Sequence, residues 1–155
     1  MKKIIFILFC CFVGLTCNAQ WSKQYLPGDE LKRIPAEWSY NYDIGDKAIT
    51  FTESGMLMIV AKNKKFLTDK NGYLSALIGL YKNGVLVDRC HYSLLVTPDG
   101  HAAGGDGFKY YLESVKTGAT VRVVASIDGD FDFDLTTTKM PEKFGSAQRS
   151  LVMGI

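Results

Sequence analysis

The chain has 155 residues, 47% of them hydrophobic and 22% charged, with 18 basic side chains, 16 acidic ones and four cysteines. That length suffices for one domain with a core of its own, and no internal repeat, low-complexity tract or linker divides it. Charge and cysteine count exclude two classes of function, nucleic-acid binders and disulfide-stapled scaffolds, once the first segment of the chain is accounted for.

Lys2 and Lys3 precede an almost unbroken apolar run from Ile4 to Leu15. About a dozen residues suit the apolar region of a secretory signal and fall short of the roughly 20 that a membrane span requires. Cys17 and Ala19 then occupy the minus-three and minus-one positions of a cut that leaves Gln20 as the new N-terminus. Residues 1–19 are therefore expected to be a cleaved signal peptide, and 20–155 a single exported domain, periplasmic or secreted. Cys17 also stands where a bacterial lipoprotein carries its lipidated cysteine, although Gly14, Leu15 and Thr16 fit that pattern poorly. Cleavage removes Lys2 and Lys3 but no acid, leaving sixteen residues of each sign, and removes Cys10, Cys11 and Cys17, leaving only Cys90. The mature chain then has no basic footprint for nucleic acid or an anionic membrane, no intramolecular disulfide and no transmembrane span.

Residues 20–36 show little periodicity and are expected to form an irregular N-terminal arm, with Pro27-Gly28-Asp29 as a turn. From Trp38 onward, short segments alternate polar and apolar residues with period two and are rich in β-branched and aromatic side chains. Strands are predicted over 38–43, 48–52, 56–62, 73–82, 85–96, 119–127 and 131–136. Turn residues separate them: Ile44-Gly45-Asp46, Ser54-Gly55, Asn71-Gly72, Asn83-Gly84, Asp99-Gly100 and Asp128-Gly129-Asp130. Asn83-Gly84 is the strongest of these, because both residues tolerate the positive φ of a type I′ hairpin turn.

In the second arm of that hairpin, Leu86, Cys90, Tyr92, Leu94 and Val96 share one face, with Asp88 among them, and Arg89, His91 and Ser93 share the other. Leu74, Ala76, Ile78 and Leu80 supply the matching face of the first arm, and Ala119, Val121, Val123, Ala125 and Ile127 a third. Two such sheets packed face to face would bury these sets together. The predicted fold class is all-β, an antiparallel β-sandwich of seven to eight strands. One short helix is expected over 108–116, where Leu112 and Val115 are three apart and Gly118 provides a stop, although a further strand fits the same residues. Residues 141–144 suggest a helical turn, and 150–153 a terminal edge strand.

No catalytic constellation emerges. Neighbours on a strand point to opposite faces, so Cys90 and His91 cannot form a dyad, and Cys90 is expected to be a buried small hydrophobe. Only His91 and His101 are available as histidine ligands, which gives no zinc spacing and no metal centre. Asp130, Asp132 and Asp134 lack the glycine and distal glutamate of an EF-hand; they read as the wet face of a strand or a weak calcium site. The glycine-rich stretch 99–107 lacks the Gly-Lys-Ser/Thr of a phosphate loop and is expected to be a flexible connection, so no cofactor is implied.

Trp38, Tyr40 and Tyr42 form an aromatic row on one face of a strand. Facing inward they are core; facing outward they would be a platform for sugars or extended peptides, and they are the candidate ligand-binding residues. The expected role is a noncatalytic binding module of a bacterial cell envelope, taking a glycan, peptide or protein. The alternative is a periplasmic inhibitor or immunity-type protein that neutralises a protein partner.

Overall fold

The computed structural model of the protein describes residues 20–127 and 130–144. The expected signal peptide, the alternative lipidation at Cys17, the expected Asp128-Gly129 turn and the edge strand expected over 150–153 lie outside the described residues.

Period-two alternation yields strands wherever it was found. In chain order they are β1 (Gln20–Leu26), β2 (Glu37–Asp43), β3 (Lys47–Thr52), β4 (Leu57–Ala61), β5 (Tyr73–Lys82), β6 (Val85–Val96) and β7 (Ala102–Gly105). Helix α1 (Lys109–Lys116) follows, then β8 (Thr120–Ile127) and β9 (Asp130–Thr136). Phe108 stands at the N-cap of α1, Tyr111, Leu112 and Val115 turn inward, and Gly118 ends the element at φ +106°. Residues 142–144 form the expected short helical turn.

A single antiparallel sheet takes the place of the expected two-sheet sandwich. Hydrogen-bonded pairing runs unbroken through all nine strands in the order β1-β2-β3-β4-β7-β6-β5-β8-β9. The sheet curls until its two ends meet. The indole N–H of Trp21 on β1 donates to the carbonyl of Thr138 beyond β9 (2.9 Å), and Phe66 packs on Phe133 of β9 with ring centroids 5.4 Å apart. Tyr40, Ile49, Phe51, Leu57 and Ile59 from one half then share one core with Leu74, Ile78, Leu80, Val123 and Phe133 from the other. Alternation fixes which face of each strand is apolar but not which strand lies beside which, so it is equally satisfied by two sheets or by one that closes over itself.

Two segments expected to be irregular are strands. Residues 20–26 pair with β2 along their whole length, and because only Trp21 among them is buried the apolar rhythm is faint. The rest of the arm is a tight loop in which Gly28, at φ +75°, is required: a Cβ there would lie 2.6 Å from the backbone of Ile34 and Ala36. Residues 102–105 pair with β4 and β6. This strand is built of alanine and glycine because large side chains cross it, and a Cβ on Gly105 would sit 2.5 Å from the Tyr92 ring.

The β5–β6 hairpin turns as expected through Asn83 (φ 51°) and Gly84 (φ 79°), but the expected face of Leu86 is corrected. The two-residue turn sets Lys82 opposite Val85 and Tyr81 opposite Leu86, whereas core packing further down sets Leu80 opposite Asp88. These registers differ by one residue, and a bulge at Val87 absorbs the difference. Leu86 therefore lies on the outer face with Tyr81, where its Cδ1 would be 3.1 Å from a Cβ placed on Gly79.

Candidate functional site

β2 is buried on both faces, so the aromatic row presents no open platform. Tyr40 and Tyr42 are 0% and 2% exposed, and only Trp38 is half-buried. Tyr42 packs on Trp21 at 5.2 Å, and Trp38 meets Tyr25 edge-on at 5.1 Å. The alternating residues Ser39 and Asn41 are buried too, joined by hydrogen bonds from Asn41 Nδ2 to Ser39 Oγ (3.3 Å) and from Thr50 Oγ1 to Asn41 Oδ1 (2.6 Å).

Around Tyr40 lies a polar cluster that the sequence alone did not suggest. Its hydroxyl donates to Glu53 Oε1 at 2.5 Å, and the same oxygen receives Lys116 Nζ at 2.6 Å. The Lys116 ammonium stands 5.0 Å from the Tyr40 ring centre. Lys23 Nζ lies 4.5 Å from the Trp38 ring centre and donates to the Phe144 carbonyl (2.6 Å), which ties the first strand to the end of the described chain. Burial, reinforced by the bond to Glu53, pushes the Tyr40 phenol far above its ordinary range. Desolvation, then the neighbouring Lys116, lowers Lys23. A phenol held protonated and a carboxylate engaged by two donors do not make an acid–base pair poised near neutrality. The cluster fastens one end of the curled sheet.

The remaining candidates are separated in space. Cys90 faces inward, half-buried, and burial pushes its thiol up. His91 lies on the outer face, hydrogen-bonded through Nε2 to Ser75 Oγ on β5. The serine–histidine pair joins diagonal neighbours, since Ser75 stands opposite Ser93 and His91 opposite Leu77, and reading each strand alone does not reveal it. It sits on an open strand surface lined by neither of the two described depressions. His101 Nδ1 donates to the carbonyls of Lys64 (2.9 Å) and Ala61 (3.0 Å), so it staples two loops. Asp134 is gripped by Arg122 through two bonds of 2.9 and 2.6 Å, which hold its carboxyl below the usual range. That pair borders a shallow depression of about 430 Å³ with Tyr81, Gly84, Thr120 and Thr136.

What stands out on the surface is the β5–β6 hairpin. Among the described residues, six of the twelve exposed large hydrophobic side chains belong to it: Tyr73, Leu77, Val85, Leu86, Val87 and Leu95. At its tip Val85, Leu86 and Val87 are 63%, 45% and 48% exposed. No described helix is long and apolar enough to cross a membrane. No family model, curated protein or solved structure matches the chain.

Proposed function

We propose that this is an exported, noncatalytic interaction module of a bacterial cell envelope that binds a protein partner through the β5–β6 hairpin. The observation that carries this reading is the concentration of exposed apolar side chains on that one element. Isolated exposed hydrophobics are ordinary on a monomer, whereas three in succession, as Val85, Leu86 and Val87 at the hairpin tip, mark a surface that is covered in the working state. Export is supported by Lys2-Lys3, the apolar run from Ile4 to Leu15 and the small residues before Gln20. The glycan alternative loses its basis, because the rings that would stack on a sugar are largely internal.

The test is affinity capture from the native envelope fraction, with the mature chain and its Val85→Glu/Leu86→Glu variant as paired baits. The reading expects a protein retained by the first and lost from the second, with both baits equally folded by circular dichroism. Identical retention by the two baits overturns it. Recovery of a single enzyme or toxin whose activity the mature chain suppresses would assign the inhibitor role to the same surface.

A further inference from the structure

β6 pairs with β5 along its whole length but with β7 only through Leu95 and Val96. Among the described residues, 85–94 are therefore paired on one side only. After β7 the chain leaves the sheet plane: Phe108 packs against Tyr92 at 4.8 Å on the inner face, and the Tyr92 hydroxyl donates to the Asp106 carbonyl (2.6 Å). Among the described residues no strand pairs with the backbone N–H and C=O groups of this extended flank, and the chemistry that satisfies such a row is another strand.

The charges along this flank select the strand. Arg89, exposed on the outer face, has no carboxylate partner among the described residues, and His91 follows two positions on, on the same face. The acids nearby are committed elsewhere: Asp88 faces inward and accepts the Tyr111 hydroxyl at 2.8 Å, and Asp134 is held by Arg122. A second copy of β6 fits poorly. Antiparallel self-pairing centred on Asp88 or Arg89 sets like charges opposite each other, and centring on Val87 falls on the bulge.

Resting on the hairpin reading above, we infer that the free flank of β6 takes up an extended segment of a protein partner in which apolar residues alternate with acidic ones. The acidic side chains lie on the outer face beside Arg89, and the apolar ones lie on the face of Cys90 and Tyr92.

A fluorescein-labelled peptide of alternating valine and glutamate, with threonine at each end, probes this directly by fluorescence polarisation against the mature chain. A matched valine–lysine peptide serves as control. Exchanging attraction for repulsion at the exposed Arg89 should weaken binding about threefold to tenfold. Arg89→Glu should reverse the preference, Arg89→Ala should abolish it, and amide exchange should slow along β6. Equal binding of the two peptides, no binding, or a preference indifferent to Arg89 overturns the inference. Envelope capture that still depends on Val85 and Leu86 in that event leaves the hairpin reading standing and removes only the strand-addition mode.

Discussion

Gly105→Ala tests the packing of β7 most sharply, because two effects of opposite sign compete. Gly105 lies outside the positive-φ region, and at such a site an alanine ordinarily stabilises by about 0.4–1 kcal/mol by restricting the unfolded chain. Here the new methyl would lie 2.5 Å from Tyr92 Cε1 and 3.2 Å from Leu94 Cδ2. The Tyr92 ring has little room to yield, since its hydroxyl is bonded to the Asp106 carbonyl and its face is packed on Phe108. Overpacking of this kind costs about 1–3 kcal/mol and should prevail. Urea unfolding followed by circular dichroism should show a lower midpoint at unchanged slope. In a double-mutant cycle with Tyr92→Leu, which removes the obstructing ring, the second substitution should recover about 1 kcal/mol or more of that loss. A Gly105→Ala protein as stable as the parent, or a cycle with no coupling, would refute the close approach of β7 to Tyr92.

Other consequences are as specific. Tyr40→Phe deletes a buried donor to a charged oxygen and should cost about 1.5–3 kcal/mol by urea titration; an unchanged midpoint would show that Glu53 is satisfied without it. Asp134 is held below its ordinary range by Arg122, so its contribution is present above the unfolded pKa and lost as the pH falls through the lower, folded one. On an exposed pair that contribution is under about 1 kcal/mol, and Asp134→Asn should lower stability at neutral pH while flattening the decline in acid. Deleting Val87 should leave Leu86 opposite Tyr81 and Asp88 opposite Leu80, now in a regular ladder. Nuclear Overhauser contacts between Ser75 and His91 and between Tyr81 and Leu86 should persist, and loss of either would show that Val87 is not the surplus residue.

Much of the strand pattern was legible because alternation and turn chemistry are local. Asn83-Gly84 announced its hairpin, and Leu74, Ala76, Ile78 and Leu80 announced their face. What stayed hidden depends on non-local pairing. An edge strand such as β1 buries one indole and leaves no rhythm, and β7 is small-residued because Tyr92 and Leu94 press on it from β6. Leu86 was placed on the wrong face because its side is decided by a conflict between turn register and core register, which no single strand reveals. The row of Trp38, Tyr40 and Tyr42 was correctly placed on one face, but whether that face met solvent depended on the closure of the sheet. The cluster of Lys23, Tyr40, Glu53 and Lys116 draws on two strands, the turn after a third and a helix, far apart in the chain.

The central claim is that the hairpin is the working surface, and photocrosslinking in the living envelope tests it most directly. A photoreactive amino acid is placed at Val85, at the hairpin tip, and separately at Leu31, which is 92% exposed on the loop after β1. The account predicts a discrete adduct with one protein from position 85 and none from position 31. An adduct pattern common to both positions, or none from position 85, would contradict it.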